Sequence, residues 1–346
     1  MAQALALKYR PKSFNDLTEQ EAVVTILRNQ IETGTIKHGY LFVGAAGTGK
    51  TTSARIFANM INKGVGTPIE LDAASNNSVD DIRELIENAQ TKSLDSEYKV
   101  FIIDECHMIT PQGWNAFLKT LEEPPLKSIF IMCTTNPEKI PGTILSRAQR
   151  YDFQKISQEG IVNRLNYILC CEEEQIIEEG GPDTVFDSCE KGAIEYIAKV
   201  ADGGMRDAIT MLDKCLSYSY DLTIENVVKA LGVVDYDIMM DLTKCVLDRD
   251  NKGIIEIVNK VHSSGADLKQ FIKLYSEFVL DINIYHITKD TKLIQVPEMW
   301  AKDFSGFGRQ GCNELLDCVM KLRTSIKYEH NPKPVIIATL ILFNKE

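Results

Sequence analysis

Over the first 155 residues, short apolar runs alternate with longer stretches in which apolar residues recur every three or four positions. The runs Tyr40-Leu41-Phe42-Val43, Ile69-Glu70-Leu71-Asp72, Lys99 to Glu105 and Ser128 to Thr135 predict strands. Val100-Phe101-Ile102-Ile103 is apolar throughout, as a central parallel strand covered on both faces requires. Between the runs, Glu21 to Thr33 predicts a helix whose apolar face is Val23, Val24, Ile26, Leu27 and Ile31, with Gly34 as its C-cap. Thr51 to Asn62 and Ser78 to Gln90 predict two more, the latter with acidic residues in its first turn. A fourth, Trp114 to Leu121, is opened by Thr110-Pro111 and closed before Pro124-Pro125. Strand–helix alternation of this kind predicts a mostly parallel sheet with helices on both faces.

From about Ser157 the strand signals stop. Helices are predicted from Ile161, over Lys191 to Val200, and from Met205, where Met205, Ala208, Ile209, Leu212 and Leu216 share a face after the Gly203-Gly204 punctuation. Three short helices would make a small domain ending near Tyr220. The remainder, Thr223 to Glu346, is helical by period, for example Ile254, Ile257, Val258 and Val261, or Phe271, Leu274, Tyr275, Phe278 and Val279. It carries no catalytic constellation, and its His262, His286 and His330 read as surface or core residues. Such a block is expected to pack against other subunits.

Candidate chemistry sits where strands end. Gly44-Ala45-Ala46-Gly47-Thr48-Gly49-Lys50-Thr51 fits the phosphate-loop pattern G-x-x-x-x-G-K-[ST] and stands between a strand and a helix. The glycines let successive N–H groups turn towards phosphate oxygens, Lys50 reaches the β- and γ-phosphates, and the Thr51 hydroxyl suits Mg²⁺. The following helix N-terminus, with Thr52 in its first turn, favours an anion. Asp104-Glu105 ends the run that starts at Lys99. Beside a phosphate loop, Asp104 is expected to hold Mg²⁺ and Glu105 to polarise an attacking water; alone, the pair would read as an exposed acidic turn.

Composition narrows the picture further. At 346 residues two or three domains are expected. The net charge of −11 argues against a uniformly basic nucleic-acid binder but leaves room for phosphate contacts by helix N-termini and backbone amides. Val335 to Phe343 is the longest apolar stretch, about half of what a membrane span needs. Met1 to Leu7 lacks a basic flank before its apolar part, so a signal peptide is not expected and the location reads as cytoplasmic. Nine cysteines are scattered without a C-x-x-C pair, which predicts reduced thiols and no zinc.

These motifs together resemble the clamp loader ATPases of the AAA+ class, in particular the bacterial DNA polymerase III gamma/tau family. The resemblance covers nearly the whole chain. It rests on Ala6-Leu7-Lys8-Tyr9-Arg10-Pro11, His38 to Phe42, Ile69 to Asn77, Ile103 to Met108, Asn115 to Pro125 and Ile144 to Arg147. It implies an α/β P-loop AAA+ domain with a parallel sheet over 1–155, a helical lid over 156–220 and an all-α collar over 221–346. It implies that Ala6 and Tyr9-Arg10-Pro11 line the adenine and ribose, that Thr135 senses the γ-phosphate or its water, and that Arg206 is a second sensor. It implies that Arg147 is an arginine finger acting on ATP of the neighbouring subunit. Seen alone, Arg147 and Arg206 read equally as surface salt-bridge residues.

Three departures from the family pattern stand out. Asn62 to Gly66 bridges the place of the family's four-cysteine zinc module, Ala148 replaces the cysteine after Ser146-Arg147, and Glu19 stands where the family tends to have glycine near the adenine. The length resembles the short, gamma-like form, and the missing module suits a phage or other divergent version. The implied function is the motor of a sliding-clamp loader, using ATP and Mg²⁺ in a ring of related or identical subunits. ATP binding would open the clamp and engage primer–template DNA through phosphates, with helix N-termini such as that after Thr110; hydrolysis would release the clamp. The alternatives are a ring scaffold that binds nucleotide without hydrolysis, or another AAA+ DNA motor such as a branch-migration helicase. The latter class usually ends in a winged helix, whereas residues 223–346 lack hairpin signals.

Overall fold

A computed structural model describes residues 3–93, 95–179, 189–231, 236–263, 265 and 267–343. Its elements, in chain order, begin with the one-turn helix α1 (Leu5–Lys8), α2 (Glu21–Thr33), β1 (Gly39–Val43) and α3 (Lys50–Ile61). Next come β2 (Ile69–Asp72), α4 (Val79–Gln90), β3 (Lys99–Asp104), α5 (Pro111–Glu122), β4 (Ser128–Thr134), the single turn α6 (Gly142–Leu145) and β5 (Gln149–Asp152). Helices α7 (Gln158–Glu178), α8 (Lys191–Val200) and α9 (Met205–Tyr218) follow. The rest is α10 (Ile224–Leu231), α11 (Tyr236–Leu247), α12 (Asn251–Ser263), α13 (Leu268–Thr288), α14 (Glu298–Ala301), α15 (Arg309–Ser325) and α16 (Pro332–Phe343).

The chain divides into two compact units, one comprising Met1–Asp187 with Ile197–Ser217, the other Ser188–Tyr196 with Tyr218–Glu346. In the first, five parallel strands form a sheet in the order β2-β3-β4-β1-β5. Every residue of β1 and β4 is buried, as are Val100 to Ile103 of β3. Alternate side chains feed two cores. Tyr40, Phe42, Ile102 and Ile131 pack with α2 and α3; Leu41, Phe101, Ile103 and Phe130 pack with α4 and α5. Burying each such side chain contributes about 1.5–3 kcal/mol, which is why these runs were legible as strands.

Three sequence expectations change. A fifth strand, β5, lies at the sheet edge beside β1, and only its Tyr151 is buried, so it has no apolar run. β3 ends at Asp104, one residue before Glu105, whose φ of +45° takes it out of the ladder. The first helix after Ser157 is 21 residues long rather than short, with the Ser157 hydroxyl accepting the Gly160 N–H at its start.

The second unit is helical throughout its described residues. Tyr236 packs against Trp300 with the rings tilted and their centres 4.9 Å apart, and the Trp300 indole N–H donates to Asp237 at 2.9 Å. α13 lies along α15, where the Asn283 amide donates to the Cys312 carbonyl at 3.1 Å. The buried Asp281 carboxylate accepts the N–H groups of Gln295 and Val296. No helix among the described residues is long and apolar enough to cross a membrane.

Candidate nucleotide site

β1 runs straight into the loop that precedes α3. Gly44 is forced by its surroundings, since a Cβ there would come within 2.6 Å of the Phe153 carbonyl oxygen. Lys50 is only 6% exposed, and its ammonium donates to the loop's own carbonyls, Gly44 O at 2.9 Å and Ala45 O at 2.8 Å. The Thr48 hydroxyl likewise donates to Ala45 O at 2.9 Å. Burial lowers the Lys50 pKa, opposed by the charge of Glu105, Cys133 and Asp104.

β4 lies between β1 and β3, so its end brings the loop and the acidic pair onto one edge of the sheet. The Thr51 hydroxyl donates to Asp104 Oδ2 at 2.9 Å, while Asp104 Oδ1 accepts the Glu105 N–H at 3.1 Å. Thr135, just past β4, donates its hydroxyl to Glu105 Oε2 at 3.1 Å. His107 Nδ1 approaches the same oxygen at 3.2 Å.

These residues open on a cavity of about 670 Å³. Ala6, Tyr9, Arg10 and Pro11 form part of its wall, with Gly47, Thr48, Gly49, Lys50, Thr51 and Thr52 of the loop and helix. Asp104, Glu105 and Arg206 complete it. Arg10 Nε donates to the Thr52 hydroxyl at 3.3 Å, and its pKa is lowered by burial and by the charges of Arg55 and Arg206. Gly44 and Thr135 stand behind the wall and act on it through Lys50 and Glu105. The cavity volume falls in the range that encloses a nucleotide-sized ligand.

The N-terminal segment and the helices after β5 are tied together. Arg164 of α7 donates to Tyr9 O at 3.1 Å, Lys8 pairs with Glu172 at 2.6 Å, and the Leu5 N–H donates to Asp213 of α9 at 3.1 Å. Burial, reinforced by the Glu172 carboxylate, pushes the Tyr9 phenol pKa up. Arg164 and Arg55 line the cavity but carry no sequence signal that separates them from surface arginines. Glu19 is absent from the wall: at φ +55°, it turns its carboxylate to the Ser157 N–H at 2.6 Å and hydroxyl at 2.5 Å. A left-handed backbone explains why glycine would also suit that position.

Arg147 is elsewhere. It stands two residues before β5, and its carbonyl oxygen lies 3.4 Å from where a Cβ on Gly39 would be, at the start of β1. The phosphate loop follows the other end of β1, about 17 Å along the strand. Its guanidinium donates to Glu122 at 2.6 Å and Thr143 O at 2.7 Å beside a separate hollow lined by His38, Leu121, Glu122, Ser146 and Arg147. The pair is partly exposed and contributes about 0–1 kcal/mol, so it yields readily to a better anion.

Thr51 and Asp104 offer adjoining hard oxygen donors beside the loop, a set that fits Mg²⁺. Among the described residues no group of three or more His, Cys, Asp or Glu converges as a metal site.

Residues 68–157 match the family "DNA polymerase III, delta subunit", and residues 187–221 match "DNA polymerase III clamp loader subunit, ATPase lid domain". The DNA polymerase III subunit tau of Bacillus subtilis is 35% identical, over 96% of this chain and 61% of its own length. The gamma/tau subunit of Mycoplasma genitalium is 36% identical, over 84% of this chain and 50% of its own. The DNA polymerase III subunit gamma of Buchnera aphidicola is 33% identical over 87% of this chain and 84% of its own. The chain thus spans between half and two thirds of the first two relatives. Among solved structures, the Thermotoga maritima RuvB Holliday junction branch migration motor superposes with a TM-score of 0.50 at 18% identity. It covers 75% of this chain and 86% of RuvB, a likeness of the P-loop AAA+ fold.

Proposed function

The chain belongs to the DNA polymerase III gamma/tau subunit family, and from that premise we propose that it is an ATP-hydrolysing motor subunit of a sliding-clamp loader. In this reading residues 1–155 are the AAA+ nucleotide domain, 156–220 the lid and 221–346 the collar that holds a cytosolic ring together. The partners are identical or related subunits, a sliding clamp and primer–template DNA gripped by its phosphates.

The observation that carries the reading is the division of labour across the sheet. Lys50, Thr51, Asp104, Glu105 and Arg206 surround one cavity, whereas Arg147 stands at the opposite end of β1 and faces outward. That placement supports a role for Arg147 at a neighbour's cavity rather than its own. Within the cavity the loop amides and Lys50 grip the phosphates, with Ala6 and Tyr9 to Pro11 against the base and ribose. Thr51 and Asp104 hold Mg²⁺, which when bound neutralises phosphate charge. Glu105 orients a water in line with the γ-phosphorus and accepts its proton. Thr135 steadies Glu105, and Arg206 brings positive charge from the lid to the transferring phosphoryl group. The neighbour's Arg147 completes that charge, so turnover depends on ring geometry.

The decisive test is an ATPase assay on the chain assembled with its ring partners, with and without clamp and primed DNA. Stimulation by clamp and primed DNA together is the expected result. Turnover that no clamp affects, or that a four-way junction stimulates instead, would overturn the loader assignment.

A further inference from the structure

Glu105 lies outside the sheet, with its N–H donating to Asp104 Oδ1 and its carbonyl accepting the Met108 N–H. It has left the β3 ladder, its φ of +45° lies in the left-handed region, and its side chain is 35% exposed. Two groups fix its carboxylate, and both approach the same oxygen, Oε2: the Thr135 hydroxyl at 3.1 Å and His107 Nδ1 at 3.2 Å. That leaves Oε1 for a water.

His107 is itself held. Its side chain is 9% exposed and sits on the short turn Cys106–Met108 directly after Glu105. The same Nδ1 lies 3.2 Å from the hydroxyl oxygen of Thr134, the last residue of β4. Thr134 is fully buried, and its oxygen accepts the Asn136 N–H at 3.0 Å. Nδ1 makes its hydrogen bond with Thr134 Oγ1, and with a proton on Nδ1 the ring presents its positive edge to Glu105 Oε2 as a charge contact at 3.2 Å. The imidazole thereby bridges the ends of the two strands that carry Glu105 and Thr135.

Resting on the ATPase reading above, we propose that His107 is a positioning residue: its imidazole, anchored on Thr134 and with Nδ1 3.2 Å from Oε2, holds the Glu105 carboxylate by charge contact in the orientation that activates water. Without it, the Glu105 carboxylate keeps one partner, a Thr135 hydroxyl whose single proton is shared with Asn136 Oδ1 at 2.8 Å. His107 touches neither nucleotide nor metal in this role.

The test uses substitutions that separate the donor from the bulk. An asparagine amide nitrogen falls near the place of Nδ1, whereas the glutamine amide falls near Nε2 and leucine donates nothing. The variants His107→Leu, His107→Gln and His107→Asn are compared in the full chain within its ring. The readouts are single-turnover ATP hydrolysis, affinity for a fluorescent ADP analogue and thermal melting. His107→Leu and His107→Gln should lower the hydrolysis rate about 10- to 100-fold, with nucleotide affinity within about twofold, and His107→Asn should recover to within about threefold of the parent. In a Glu105→Gln background, His107→Leu should cost nothing further, because both act through one group.

The proposal is overturned if leucine and glutamine leave the rate intact, or if asparagine falls as far as they do. Packing alone would favour the bulkier leucine and glutamine over asparagine. If leucine prevents folding, the glutamine–asparagine comparison still decides. A parent chain whose turnover survives Glu105→Gln overturns the Glu105 assignment and this one with it. A parent that hydrolyses ATP without responding to clamp and DNA overturns only the loader reading.

Discussion

The Met205 N–H donates to the Gly47 carbonyl oxygen at 3.1 Å, so the start of α9 is fastened directly to the phosphate loop. The contact is close because Gly47 has no side chain: a Cβ on Gly47 would lie 3.0 Å from Gly204 Cα. Arg206 follows one residue later on the cavity wall. Any change in the loop on taking up phosphate is therefore felt by the segment that carries Arg206.

Gly47→Ala should be the more damaging of two substitutions at this contact. Gly47 has φ +72°, where a Cβ costs about 1–2 kcal/mol before any clash is counted. Gly204→Ala meets mainly the movable Asp207 carboxylate, at 3.0 Å. Urea unfolding should place Gly47→Ala about 1–3 kcal/mol below the parent and Gly204→Ala closer to it. Nucleotide affinity should fall only for the former; equal losses would mean that the contact has no directional role.

Thr51→Val tests the assignment of Mg²⁺. It removes the hydroxyl that donates to Asp104 at 2.9 Å while keeping the β-branched shape at the start of α3. The Mg²⁺ concentration for half-maximal hydrolysis should rise at least about tenfold, and nucleotide binding in EDTA should change little. An unchanged Mg²⁺ midpoint would remove Thr51 from the metal's ligands.

The buried interior of the sheet was legible because β1, β3 and β4 are apolar on both faces, a pattern that few other structures require. The loop 44–51 and Asp104-Glu105 stood out because their residue types at that spacing answer to one chemistry, and the structure brings them to one cavity. β5 was not: an edge strand with Tyr151 as its one buried residue leaves no periodic signal. Missing β5 also hid the place of Arg147, because a residue just before a strand parallel to β1 must sit at the edge away from the loop. The pair Gly203-Gly204 read as punctuation, although Gly204 Cα lies where a Cβ on Gly47 would come within 3.0 Å, a contact between residues far apart in sequence. Glu19 read as a change beside the base, but its left-handed backbone sends the carboxylate to Ser157. His107 was one letter in a family motif until its ring was seen between Glu105 and Thr134.

Thiol reactivity should follow burial. Desolvation pushes Cys215 and Cys312 up to about 11 and raises Cys106 and Cys133 as well. A raised thiol pKa means less thiolate, so at pH 8 a group at about 11 is ionised in roughly one molecule in a thousand. Cys170 is exposed. Iodoacetamide at pH 8, read by peptide mass spectrometry, should modify Cys170 first and leave these four unmodified in the folded chain. In urea all nine cysteines should react. Early labelling of Cys106 or Cys133 would mean that the sheet opens near the nucleotide site.

Lys50→Ala and Arg147→Ala should separate binding from turnover. Lys50 is buried at the loop and lines the cavity of its own subunit; in the proposed reading its loss should weaken nucleotide binding and hydrolysis together. Among the described residues the Arg147 guanidinium bonds to Glu122, Thr143 and Ser146 at the far end of β1, in a weak and partly exposed arrangement. Its removal should leave nucleotide affinity within about twofold and lower the assembled ring's hydrolysis about 10³-fold, the scale associated with an arginine supplied in trans. Mixing supplies the sharper measurement. Arg147→Ala subunits combined with Lys50→Ala subunits should regain activity at interfaces where an intact Arg147 faces an intact Lys50. Arginine in cis predicts no recovery at any mixing ratio, because each subunit would lack one of its own two groups. Recovery that peaks at intermediate ratios is the signature of a site built from two chains.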